Sequence, residues 1–169
     1  MIRKLLAAAI LAVAGLSVNQ QALATAQAPE VLVMDGKEET LFSEPLEQFI
    51  EHPENTMTFL SIVPRGRCSY LRRGYRATWE IVNNRLSLRK LKKGCGGQEE
   101  VSLSSLFPGR DSPVSAEWYS GRLIVPQGNM IEYVHLGYFS KYESYLLLHV
   151  EKGLVIRREV TTVHPWKDP

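Results

Sequence analysis

Tyr75-Arg76-Ala77-Thr78-Trp79-Glu80-Ile81 puts Tyr75, Ala77, Trp79 and Ile81 on one side of an extended chain and polar residues on the other. That period of two belongs to a strand with one buried face. Asn83-Asn84 follows, two residues that tolerate the left-handed backbone of a tight turn, and Leu86 and Leu88 then resume the alternation. The segment predicts a hairpin. Its apolar face needs a second layer to cover it, so the rest of the chain must supply one.

Residues 114–119, 121–125, 130–139, 142–150 and 154–163 read as further strands about ten residues apart. Ser120-Gly121, Pro126-Gln127-Gly128 and Lys152-Gly153 supply turns between them, the rhythm of an antiparallel meander. Upstream, residues 31–34 predict a first strand ended by Asp35-Gly36, preceded by a frayed tail at 26–30. One helix is expected: Ser43 or Glu44 caps it, Pro45 suits its first turn, Leu46, Phe49 and Ile50 share a face, and Pro53 ends it. Residues 58–63 read as strand. The expected class is α+β, mainly antiparallel β, a meander sheet or partly closed barrel with one short N-terminal helix.

The start of the chain carries an address. Arg3 and Lys4 precede an apolar stretch at 5–18, followed by the small-residue sites Ala22-Leu23-Ala24 and Ala24-Thr25-Ala26. This pattern predicts a secretory signal peptide over 1–26, a single domain over 27–169 and a periplasmic destination. The apolar stretch is short for a membrane span and no second one follows, so no span is expected after cleavage. The formal charge of +2 is that of Arg3 and Lys4, because 20 basic and 18 acidic residues otherwise cancel. A neutral mature chain gives no electrostatic reason to expect nucleic acid.

Charge is segregated along the chain. Residues 30–54 hold eight acidic side chains against Lys37, and residues 65–93 hold ten basic ones against Glu80. The two blocks either pair within the fold or face different partners. Cys68 and Cys95 are the only cysteines, and an exported chain meets oxidants, so they predict one disulfide joining the basic loop to the end of the hairpin. Closing a loop of about 27 residues stabilises a fold by about 3 kcal/mol in the chain-entropy description.

Candidates for chemistry are sparse. His52, His135, His149 and His164 stand at no metal-ligand spacing, so neither metal nor cofactor is expected. His135, between Tyr133 and Tyr138, is the histidine best placed for a polar pocket. Glu80, Glu117, Glu132 and Glu143 are the carboxylates in or beside strands, and two of them converging in a cleft is what glycan hydrolysis needs. Pairing of Glu80 with Arg76 or Arg89 across the sheet is the simpler reading. No nucleophile elbow, phosphate loop, zinc-helix or dinucleotide motif occurs, and the chain is expected not to be an enzyme.

The segments Ala77-Thr78-Trp79-Glu80-Ile81, Leu106-Phe107-Pro108-Gly109, Glu117-Trp118-Tyr119-Ser120-Gly121, Pro126-Gln127-Gly128 and Tyr133-Val134-His135-Leu136-Gly137-Tyr138 occur in that order. In this the chain resembles an uncharacterised group of small bacterial proteins over residues 75–153. The resemblance implies a shared fold and no activity. A small, rigid, exported domain with segregated charge and turn-placed aromatics suits a preorganised protein-binding surface. The expectation is an immunity or inhibitor protein that neutralises a toxin or envelope hydrolase. Its contact is placed at Arg65, Arg67, Arg72 and Arg73 with Trp118, Tyr119 and Tyr138. The alternative is an envelope structural or small-ligand and glycan-binding module.

Overall fold

The computed structural model describes residues 25–66, 68–96 and 98–166. Glu30–Met34 (β1) and Lys37–Leu41 (β2) form a hairpin turning at Asp35 and Gly36, whose φ angles are 52° and 76°. Two helices follow, Leu46–Ile50 (α1) and Pro53–Ile62 (α2). Tyr75–Val82 (β3) and Arg85–Lys93 (β4) are the expected hairpin, with Asn83 and Asn84 at φ 51° and 59°. Glu99–Val101 (β5) and Val114–Ser115 (β6) are short. Gly121–Glu132 (β7), Lys141–Glu151 (β8) and Leu154–Thr161 (β9) complete a nine-stranded sheet.

The strand order is β2-β1-β3-β4-β9-β8-β7, and β5 and β6 also pair with β4. Pairing is antiparallel except between β1 and β3, which run parallel because α1 and α2 carry the chain back across the sheet. The arrangement is therefore mostly antiparallel but not a simple meander: β3-β4-β5 and β7-β8-β9 are consecutive antiparallel runs, and β4 joins them through β9. The sheet is not closed. Its two ends approach where Phe42 N–H donates to Ile124 O at 2.9 Å and Ser43 bonds Arg122 O and Ile124 N–H.

The inward faces of β1, β3, β4, β7 and β8 meet the helices in one core that includes Leu32, Leu46, Phe59, Trp79, Leu88 and Leu123. A smaller cluster of Phe42, Ile124, Tyr145 and Leu147 covers the opposite face of β7 and β8. Cys68 and Cys95 form the expected disulfide, their Cα atoms 5.9 Å apart.

Several expectations are corrected. Pro53 does not end a helix; it opens α2 at the first-turn position, where its missing N–H costs nothing. Residues 58–63, read as strand from their β-branched and apolar content, are mostly the second half of α2, with Phe59 packed edge-on to Tyr75. Ser43 does not cap α1, since its hydroxyl is committed to β7. Pro126-Gln127-Gly128 is not a turn but a bulge within β7, where Gly128 has φ 74° and Glu143 accepts from the Asn129 backbone and side chain. The strand expected over 130–139 stops at Glu132.

The expected tail is also corrected, and this matters most for the site. Residues 25–29 form a strap. Gln27 N–H donates to Gly137 O at 3.0 Å and Ala28 N–H to Tyr70 O at 2.7 Å. The Gln27 side chain donates to Thr25 O and Ser69 O and accepts from Arg72 N–H. Thr25 and Ala26 thus fold with the domain expected to begin at 27. Residues 1–24 of the expected signal peptide lie outside the described residues.

Candidate functional site

The basic loop is built to hold its shape. Gly66 and Gly74 lie against each other's backbone, and a Cβ at Gly66 would run into the Leu71 carbonyl and one at Gly74 into the Pro64 carbonyl. Gly74 also has φ 83°, which disfavours any side chain. A short 3-10 turn at Ser69–Leu71 buries Leu71, and the disulfide pins the loop's middle to the turn after β4.

Beneath the loop lies a buried ion network. Glu30 opens β1 in the same phase as Leu32, so its side chain points into the core and is 0% exposed. Arg73 is 4% exposed. Its Nε faces Glu30 Oε1 at 3.4 Å, and its Nη1 donates to Glu44 Oε1 at 3.0 Å and to the Tyr138 hydroxyl at 3.1 Å. Its Nη2 donates to Ala28 O at 2.8 Å, which ties the strap to the loop, and the guanidinium lies 5.4 Å from the centre of the Tyr75 ring. Tyr138 donates to Glu44 Oε1 at 2.7 Å, Tyr75 to Glu47 Oε1 at 2.8 Å, and Trp79 Nε1 to Glu30 Oε2 at 2.5 Å.

Burial pushes the Glu30 carboxyl up to about 8; Arg73 and the indole donor oppose this, and Glu44 and Glu47 add to it. Tyr75 and Tyr138 are held well above the usual phenol range, first by burial, so both remain donors. The sign of the consequence follows. Between the ordinary carboxylate value of 4.5 and about 8 the folded chain keeps a proton that the unfolded chain has lost, so Glu30 withdraws stability as pH rises through that window. Glu30→Gln is expected to flatten this part of the profile, read as the difference in urea unfolding free energy between the two proteins from acid to mildly alkaline pH. Parallel profiles would show that Glu30 titrates normally.

Over the network opens a cleft of about 630 Å³, walled by the strap, α1, the basic loop and the turn at Leu136 and Gly137. Arg65, Arg72, Glu44 and Glu47 line it. Arg65 approaches Glu47 Oε2 at 3.9 Å, while the exposed Arg72 guanidinium makes no ion pair among the described residues. The acidic and basic blocks therefore pair with each other here, through Arg73 with Glu30 and Glu44 and Arg65 with Glu47, and the cleft presents what is left over.

The expected contact residues divide. Arg65, Arg72, Arg73 and Tyr138 come together around the cleft, although Arg73 and Tyr138 are spent on the network. Arg67 lies outside the described residues. Trp118 and Tyr119 are not surface aromatics. Trp118 stacks on Phe107 at 5.2 Å, touches Phe49 and Trp79 and donates to Pro45 O; Tyr119 is buried and bonds Arg122 O. Rings at turns read as exposed because the helices that cover them come from far along the chain. Glu30, Glu44 and Glu47 were missed, although Glu30 stands on the apolar phase of β1, where a carboxylate needs a partner.

The other candidates for chemistry are separately engaged. Glu80 meets Arg89 at 3.8 Å, Glu117 meets Arg85 at 3.9 Å, Glu132 meets Lys141 and Glu143 meets Asn129. His135 bonds the Tyr133 hydroxyl at 2.8 Å, and His149 lies between Glu159 and Arg157. Among the described residues no group of three or more potential ligands gathers as a metal site, and no helix is long and apolar enough to cross a membrane. No family model, curated protein or solved structure matches the chain. The site must therefore be read from its own geometry.

Proposed function

We propose that the chain is an exported protein-binding protein of the immunity or inhibitor kind, which occludes a toxin or envelope hydrolase with the rim of the charged cleft. The observation that supports this reading is the way the rim is held: a disulfide, two glycine contacts and a buried arginine fix Arg65 and Arg72 before any partner arrives. A preorganised rim forfeits little entropy on binding, and an exposed unpaired guanidinium takes a partner's carboxylate in two-pronged geometry. The disulfide also suits the periplasm to which the charged and apolar start of the chain points.

The test joins capture to inhibition. The purified exported protein is used as bait in envelope extract, and any hydrolase or toxin recovered is assayed with and without it. Arg72→Glu is expected to abolish most of the inhibition while leaving the melting temperature nearly unchanged, because Arg72 is exposed. A second reading has its own support, since the cleft is the size of small-ligand sites. A glycan that copurifies in place of a protein, and is lost on Arg72→Glu, would establish it instead.

A further inference from the structure

Positive charge gathers also on the outer face of the sheet, away from the basic loop. Arg76 on β3 is directly opposite Lys92 on β4, and Thr78 is opposite Lys90. The register slips between Thr78 and Trp79, so Arg89 is an extra residue on the β4 side of the ladder, adding a third β4 cation beside the two lysines. Like charges directly opposite each other destabilise a ladder unless something anionic lies over them. Among the described residues Arg76 donates through its Nε to the Pro29 carbonyl, and neither it nor Lys90 nor Lys92 makes an ion pair, although Lys92 stands opposite Glu100 of β5 in the register.

These cations line a trough. One hollow of about 390 Å³ runs over Val31, Val33, Thr78, Arg76 and Lys92, and a second of about 370 Å³ passes Ser102, Ser104 and Arg110. Both are lined by Arg89 and Lys90, so the two hollows adjoin. We infer that this trough, from Val31 and Arg76 across Arg89 and Lys90 to Arg110, is a docking surface for an extended acidic segment of a protein partner. The inference rests on the reading of the chain as a protein-binding protein and adds a second contact to the cleft.

The occupant follows from the lining. Arg89 is held by Glu80 at 3.8 Å, while Arg76, Lys90, Lys92 and Arg110 make no ion pair among the described residues and call for an anion. The rim also carries Glu38, Glu100 and Asp111, which repel a chain with a charge on every unit and tolerate one whose acids are interspersed. Val31 and Val33 give the floor an apolar strip that suits the alternate side chains of an extended peptide. A concave floor keeps a flat lipid surface away from those valines.

The test uses the full exported chain with its disulfide intact and a synthetic peptide of alternating glutamate and valine, about ten residues and so about 33 Å when extended. Binding followed by calorimetry over a salt series is expected to weaken as salt rises, and to fall at least about tenfold in the double variant Lys90→Glu, Lys92→Glu. Arg72→Glu is expected to leave peptide binding unchanged, which separates the trough from the cleft. If the charge reversal disturbs folding, Lys90→Gln with Lys92→Gln is read instead through a reduced salt dependence. No binding, or equal binding by the charge-reversed protein, overturns the inference. So does tighter binding of polyphosphate or phosphatidylglycerol vesicles through the same lysines, which would assign the trough to a phosphate-bearing partner. Because the peptide titration needs no cellular partner, failure to recover any hydrolase or toxin, or inhibition undiminished in Arg72→Glu, with peptide binding intact counts against the cleft alone.

Discussion

Replacing Arg73 with methionine is expected to cost the fold about 3–5 kcal/mol above about pH 8, the range for breaking a buried ion pair by removing one partner, and less at neutral pH, where Glu30 keeps its proton. Methionine fills much of the arginine's volume, so little of the loss is cavity. What disappears is the donor to Glu44, Tyr138 and Ala28 and the charge beside Glu30. Glu30 and Glu44 then face each other's environment without a cation between them, and the strap loses the bond that holds Ala28 to the loop. Urea unfolding measures the total. Hydrogen exchange at the Ala28 amide, which donates to Tyr70 O, separates the strap from the rest. A loss under about 1 kcal/mol, with Ala28 protection unchanged, would mean that the network is ornamental and that Arg73 belongs with Arg72 as a surface cation.

The contrast between those neighbours shows what sequence could and could not reveal. Arg72 and Arg73 are identical in type and adjacent in a polar loop, and nothing local distinguishes them. What sends Arg73 inward is Glu30, more than forty residues away and brought alongside by the parallel pairing of β1 with β3. The hairpin of β3 and β4 and its turn were legible because their signals are local, alternation and then Asn83-Asn84, whereas the extra residue at Arg89 was not. The disulfide was legible too, since it follows from having two cysteines and an expected oxidising destination. α2 was not legible, because Thr56, Thr58, Ile62 and Val63 favour strands and only the packing of Phe59 on Tyr75 and the start at Pro53 decide for helix. Half of the cleft was visible as the basic loop. The other half was hidden in the segment expected to fray, whose order comes from Gln27 and Ala28 bonding loops at residues 69–72 and 137.

Trp79→Ala is expected to be the most damaging single substitution, about 3–5 kcal/mol from the lost side chain and a further 1–3 kcal/mol from the carboxyl it leaves without its donor. Trp79 is 0% exposed, lies between Leu32 on β1 and Leu88 on β4 in the sheet register, and meets Trp118 edge-on at 6.5 Å. It is also the donor to Glu30 Oε2. The two contributions are separable. Trp79→Phe keeps an aromatic ring in the core but has no N–H, so its cost is expected to fall mainly in the second part. The same variant carries a pH signature. The indole donor is one of the groups that holds the Glu30 carboxyl down, so removing it moves the upper end of the pH-dependent window further above about 8. Unfolding free energies of wild type, Trp79→Phe and Trp79→Ala, each measured across that window, decide the matter. If phenylalanine costs as much as alanine and both move the upper end of the window upward, the bond to Glu30 carries the site; if neither variant shifts the pH profile, that bond contributes nothing to it; and if both cost under about 1 kcal/mol, the buried face of β3 is not the core of the fold.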